Sequence, residues 1–190
     1  MVSTRTPTPG RSFELYYPLD DDWNQLRDIR LRAISNFPLA FHESFAVAHA
    51  LTEADWRERG ARNAQPTGYQ VVARTPADLW IGTMSAFVSA GPPAYHPGSP
   101  GTGAPRANLV GTWVDPTFRG RSTVAATLLR SVRIWAAEEH RLHQVFLHVH
   151  EANYRAMRFY EKSGAKPTGE FVPDPRRAAE RQIELVLGTL

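Results

Sequence analysis

Arg119, Gly120 and Arg121 lie between an apolar run, Leu109 to Val114, that stops at Pro116, and a segment whose apolar residues Val124, Leu128, Val132 and Trp135 recur at helical spacing. A strand, a Gly-containing turn and a helix start in that order form an anion cradle. The first N–H groups of a helix lack partners and carry partial positive charge, so a flexible turn lets a pyrophosphate come close. Arg119 and Arg121 add full charges at that place. Elsewhere, His148 and His150 share one strand face, a spacing that can hold a metal. The chain has no cysteine and offers no obvious third ligand near them, so no metal is expected.

A second chemistry-bearing block follows. Val145, Leu147 and Val149 alternate with Phe146, His148 and His150 as a half-buried strand. After it, Glu151 or Asn153 can cap a short helix in which Ala156, Phe159 and Tyr160 make one face and Gly164 makes the stop. The two blocks together resemble the GCN5-related N-acetyltransferases (the GNAT superfamily) of the bacterial small-molecule type. Arg119 and Gly120 match that family's acyl-CoA loop, while Ser122 replaces its first motif glycine and Val124 its second small residue. Asn153, four residues past Val149, then Ala156, Tyr160 and Gly164 match its second signature. The resemblance is close from Leu109 to Leu190 and looser from Phe13 to Arg62.

The resemblance implies an α/β (α+β) fold, with a mixed central sheet of about seven strands and flanking helices. Its parallel fourth and fifth strands would splay apart at the acyl-CoA site. The backbone of Trp113 and Val114 would pair with the pantetheine amides. Arg119, Gly120, Arg121, Ser122, Thr123 and Val124 would hold the pyrophosphate, and Asn153 would face the pantetheine. Tyr160 would protonate the departing thiolate. The implied activity is acetyl transfer from acetyl-CoA, as acyl-donor co-substrate, to a primary amine of a small molecule, without a metal. Two other readings stand beside it: a non-catalytic or regulatory CoA-binding member, and an acyltransferase using a longer acyl-CoA or an acyl-carrier protein.

An amine that attacks a thioester must first lose a proton, to a carboxylate, a histidine or a water chain. Glu43 and His148 are the candidates. Glu43 falls in the region between the first two helices that lines the family's acceptor site, and His148 sits on a strand that ends there. The glutamate run that often follows in relatives is replaced by Phe45-Ala46-Val47-Ala48-His49. His42 and His49 read as loop residues.

The 190 residues suggest one domain, 12–190, behind a Thr/Pro-rich tail, 1–11, that is expected to be disordered. A net charge of +3 spread along the chain, with no basic stripe, argues against nucleic acid as a partner. No run is apolar enough to span a bilayer and the first ten residues have no signal-like core, so a cytoplasmic protein is expected. Strands are expected at Phe13 to Tyr17, Tyr69 to Arg74, Trp80 to Val88 and Gln182 to Leu187. Helices are expected from the Asp20-Asp21-Asp22 run to about Asn36, and from Thr52, with Asp55 as capping partner, to about Arg62. Phe171 to Arg181 reads as a polar loop. The Pro/Gly-rich stretch from Ser89 to Ala107 is expected to serve oligomer contacts, a homodimer among them, or mobility, and not chemistry.

Overall fold

The computed structural model describes residues 12–92, 103–120, 123–174 and 177–189. The tail 1–11, the middle of the Pro/Gly-rich stretch at 93–102, and Arg121 and Ser122 of the expected pyrophosphate loop lie outside the described residues.

Seven strands form one mixed sheet: β1 Glu14–Tyr16, β2 Gly68–Arg74, β3 Trp80–Ala90, β4 Pro105–Val114, β5 Gln144–His150, β6 Lys166–Asp174 and β7 Arg177–Gly188. Their spatial order is β1-β2-β3-β4-β5-β7-β6, with β4 and β5 parallel and the other pairs antiparallel. Helices α1 Trp23–Asn36, α2 Phe45–Ala50 and α3 Glu53–Asn63 precede β2. Helix α4 Val124–Glu138 joins β4 to β5, and α5 Tyr154–Lys162 follows β5.

Alternation along the strands divides the core in two. Val71 packs with Ile81, Leu128, Val132, Leu147 and Leu185 on the side that carries α4 and α5. Its neighbour Val72 packs with Ile29, Ile34, Trp56 and Trp80 on the side that carries α1 and α3. Local signals set the helix ends. Thr52 and Asp55 complete a reciprocal capping box at α3, and Asn153 Oδ1 accepts from Ala156 N at 3.2 Å to cap α5.

The fourth strand carries the feature that opens the sheet. Val110 faces Ser85 and Trp113 faces Thr83, so Gly111 and Thr112 stand against Met84 alone. This is a β-bulge, and Gly111 adopts a φ of +62°, which favours glycine. The extra residue reverses the alternation: Leu109 and Val114 both reach the α4 side, while Trp113 packs under α1. Pairing between β4 and β5 runs from Ala107↔Val145 to Leu109↔Leu147 and stops there, just before the bulge.

Two segments differ from the sequence reading. Phe171 to Arg181 is not a loop, because β6 runs to Asp174 and β7 starts at Arg177. As an edge strand with mostly exposed side chains, β6 tolerates Pro167 and Pro173 and a largely polar sequence. Phe45 to Ala50 forms a helix of six residues, started by Ser44 accepting from Val47 N.

Candidate active site

The opening between β4 and β5 separates two cavities that share Ala40 and Phe41 in their walls. Successive residues of β4 pass from one to the other: Leu109, Val110 and Gly111 line the first, and Thr112, Trp113 and Val114 the second. One strand therefore connects the two spaces, with the bulge at the junction.

The second cavity, about 410 Å³, lies between the end of β4, the start of α4 and α5. Its walls carry four cations, Arg119, Arg155, Arg158 and Lys162. Burial lowers the pKa of Arg119 below its ordinary value and the charge of Arg155 lowers it further, against the pull of Asp115. Two guanidiniums that repel each other beside a helix N-terminus suit a polyanion. Arg119 Nε donates to the Val114 carbonyl at 2.6 Å, and its guanidinium also reaches the Asn36 side chain. Gly120 has a φ of +81°, so the turn after Arg119 is one that glycine takes without strain.

Val124 is fully buried, and a Cβ placed on Gly82 would come within 3.0 Å of its Cγ1. Its side chain is thus spent on packing against β3. The small residues that α4 presents to the cavity are Ala125 and Ala126. Thr123 stands at the N-cap position and makes no side-chain capping bond. Asn153 lines the cavity while its carbonyl oxygen caps α5.

Tyr160 reaches the junction from α5. It is 3% exposed, and its hydroxyl donates to Thr112 Oγ1 at 3.0 Å. Burial pushes the phenol up to about 12, with the Thr112 hydrogen bond acting in the opposite sense. The hydroxyl therefore keeps its proton at any neutral or mildly alkaline pH.

The first cavity, about 840 Å³, is enclosed by α1, α3, the segment from Ala40 to Val47, and residues of β2, β3, β4, β5 and β7. Glu43 is inside it, with its side chain 13% exposed, and two arginines hold it. Arg59 donates through Nη1 at 3.0 Å and through Nη2, and Arg30 donates through Nε at 3.3 Å. Burial alone would raise the Glu43 carboxyl, but the Arg59 hydrogen bond and the charges of Arg30 and Arg59 outweigh it and hold the pKa below the ordinary value. Burial likewise lowers the Arg30 pKa, opposed by Glu43 and reinforced by Arg59.

His148 lines the same cavity with its side chain 6% exposed. Its Nε2 lies 3.6 Å from Glu184 Oε2, and Arg106 holds that carboxylate from the other side. Burial would raise Glu184, but the Arg106 hydrogen bond and charge prevail and lower it, so it stands ionised behind the imidazole. His150, one strand repeat further on, is engaged elsewhere. Its Nδ1 accepts from Ala152 N at 3.1 Å, so Nε2 carries the proton and donates to Glu180 at 2.7 Å. Among the described residues, no cluster of three or more His, Asp or Glu side chains has metal-binding geometry.

Sequence reasoning had isolated Tyr160, Asn153, His148 and the turn at Arg119. It missed Thr112, Glu184, Arg30 and Arg59, whose partners are 48, 36, 13 and 16 positions distant and carry no local signal.

The class is that of an α/β fold with a mixed sheet opened between two parallel strands, a cationic cleft on one side and a larger cavity on the other. The chain belongs to the acetyltransferase (GNAT) family, whose model matches residues 23–165. Among solved structures it is similar to spermidine N-acetyltransferase from Vibrio cholerae, solved with CoA and spermine, at 15% identity and a TM-score of 0.67 over 93% of this chain and 95% of that one. A GCN5-related N-acetyltransferase from Kribbella flavida is similar at 18% identity and a TM-score of 0.66 over 93% and 97%. A GNAT-family acetyltransferase from Streptococcus pneumoniae is similar at 12% identity and a TM-score of 0.67 over 94% and 100%. At these identities the likeness is one of fold. No curated protein matches the chain. Among the described residues, no helix is long and apolar enough to cross a membrane.

Proposed function

We propose that the protein transfers an acetyl group from acetyl-CoA to the primary amine of a small molecule. The observation that carries this reading is the passage of β4 from one cavity to the other at the bulge, where the Tyr160 hydroxyl meets Thr112. A thioester lying along the end of β4 would present its carbonyl at that junction, and an amine in the larger cavity would approach it from the opposite side.

The donor occupies the smaller cavity. Its phosphates lie against Arg119, Gly120 and the start of α4, and Arg155 and Arg158 supply further charge. The pantetheine arm runs along the backbone of Trp113 and Val114 and past Asn153. Arg119 gives up the Val114 carbonyl when a phosphate competes for its guanidinium.

In the larger cavity His148 is the base. It takes one proton from the acceptor's ammonium, and Glu184 stabilises the imidazolium so formed. The freed amine forms the new C–N bond at the thioester carbonyl. As the tetrahedral intermediate collapses the C–S bond breaks, and Tyr160 gives its proton to the sulfur. The second proton of the former ammonium leaves with the collapse and restores the phenol. The phenol is a fit donor because it is protonated throughout the working range, whereas an ordinary thiol, with a pKa of about 8.5, leaves as an anion in need of a proton. Glu43, held by two guanidiniums and acidified by them, is assigned to anchoring Arg30 and Arg59 instead of to proton transfer.

Spermine, bound by the Vibrio cholerae protein, is not proposed as an acceptor, because Arg30, Arg59 and Arg62 in the cavity wall repel a polycation. The test is direct. Acetyl-CoA should raise the melting temperature in the presence of a chelator, and free CoA should be released when amines are added. Stabilisation by acetyl-CoA with no turnover of any amine would favour a regulatory CoA-binding protein. Stabilisation only by longer acyl-CoAs would favour a different acyl donor.

A further inference from the structure

We infer that the acceptor is an α-amino acid with an apolar side chain, whose carboxylate is held by Arg30 in the larger cavity. This rests on the acetyl-transfer reading above and names its substrate class.

Charge is the first ground. Among the described residues, the walls of the cavity carry three arginines, Arg30, Arg59 and Arg62, and one acid, Glu43. Arg62 answers Glu58 at 2.9 Å on the surface, with both side chains largely exposed. Inside the cavity Arg30 and Arg59 share one carboxylate, Glu43, while Asp55, which also acts on Arg59, is engaged with Thr52 outside the cavity wall. A single further carboxylate balances the two guanidiniums, while a dianionic phosphate would overshoot and an ammonium-rich amine would add to their charge.

Geometry is the second. Glu43 engages Arg30 through Nε, so the terminal nitrogens point past it, and Nη1 lies 3.9 Å from the position a Cβ would take on Gly111. That is the bulge at the junction with the donor cleft. A guanidinium so close to the reaction point can hold an anionic group only if that group is within a few bonds of the reacting nitrogen, as in an α-amino acid. A planar carboxylate also matches the guanidinium fork.

The rest of the wall describes the remainder of the acceptor. Leu26, Phe41, Val47 and Trp56 give it an apolar surface. Trp56, 2% exposed, offers its ring to that surface.

The experiment compares L-phenylalanine and L-leucine with L-phenylalaninamide, L-leucinamide and spermidine as acceptors, with saturating acetyl-CoA and CoA release as the signal. Stabilisation of the protein by acetyl-CoA alone is measured beside it. The two amino acids should be acetylated at least tenfold more efficiently than their amides, and spermidine not at all. In Arg30→Gln the KM for the amino acids should rise roughly tenfold to a hundredfold, as loss of a charge-assisted hydrogen bond does, while that for the amides stays put. Arg30→Lys, which keeps the charge and loses the fork, should show a smaller rise in the same direction and guards against a folding failure in the first variant. If acetyl-CoA binds and the amides or spermidine react as well as the amino acids, or no amino acid reacts, the substrate class is wrong while the donor site stands. Failure of acetyl-CoA to bind would instead overturn the acetyl-transfer reading.

Discussion

The cleft proposed for the donor and the cavity proposed for the acceptor share two wall residues and one strand, yet they are assembled in opposite ways. The donor side is nearly continuous in the chain. Thr112 to Val114, the turn at Arg119 and Gly120, the first turn of α4, and α5 with Tyr160 all fall within one strand–helix–strand–helix unit. Its work is backbone approach and positive charge, which short motifs encode. The acceptor side is built from α1, the Ala40 to Val47 segment, α3 and residues of β2, β3, β4, β5 and β7, and its polar groups work in pairs that only the tertiary fold brings together. Arg30, Glu43 and Arg59 form one ion cluster from three separate elements. A donor common to a family can be bound by a conserved local device, whereas an acceptor particular to one protein is recognised by long-range combinations.

Changes to each side should therefore fail differently. Outside Tyr160, the largest effect is expected from His148→Gln, which should lower kcat by about a hundredfold at neutral pH and leave acetyl-CoA affinity unchanged, since general-base catalysis typically contributes that much. Single-turnover kinetics at saturating donor read this directly. An unchanged rate would move the base to a water chain.

Next in size is Glu43→Gln. Removing one carboxylate leaves two half-buried guanidiniums without a counter-charge. Discounted for their partial exposure, the cost should be about 2 kcal/mol, or about 4–8 °C in Tm. Because the folded-state pKa of Glu43 lies below its ordinary value of 4.5, the ion cluster contributes fully above that pH and its contribution is lost as pH falls below it. The gap between wild-type and variant melting curves should accordingly be widest near neutrality and narrow below about pH 4. A gap independent of pH would show that packing, not charge, sets the cost.

On the donor side, Arg119→Gln should weaken acetyl-CoA binding about tenfold by calorimetry, the worth of one charge-assisted hydrogen bond, with little effect on the KM of the acceptor. An equal loss for both substrates would mean that the two cavities are not separable. The smallest effect belongs to the Pro/Gly-rich stretch. Strands β3 and β4 pair out to Ala90↔Pro105, and Pro105 lies about 20 Å along β4 from Thr112 at the usual strand rise. Replacing residues 92–103 by a two-residue turn should leave turnover unaltered.

The same contrast explains what was legible beforehand. Helix α4 could be read from Val124, Leu128, Val132 and Trp135, all of which are buried, and α3 from its capping box. The stretch from Phe171 to Arg181 in the edge hairpin could not, although β7 was legible from Gln182 to Leu187, because an exposed strand needs no apolar alternation and can carry prolines. The departure at Val124 from the family loop is explained by Gly82 on the neighbouring strand, a pairing of residues 42 positions apart that leaves no trace in either segment alone. Tyr160 was identified by its place in a helix motif. Its partner Thr112 was not, since it owes its position to the bulge at Gly111.

The account depends on a proton passing from Tyr160 to sulfur where the two cavities meet. Tyr160→Phe removes one buried hydroxyl and keeps the ring, so it should cost about 1 kcal/mol of stability and leave acetyl-CoA affinity unchanged. With an amine acceptor at saturation, kcat should fall by about a hundredfold or more. A stable variant that retains full kcat would contradict the assignment and reduce Tyr160 to a core aromatic hydrogen-bonded to Thr112.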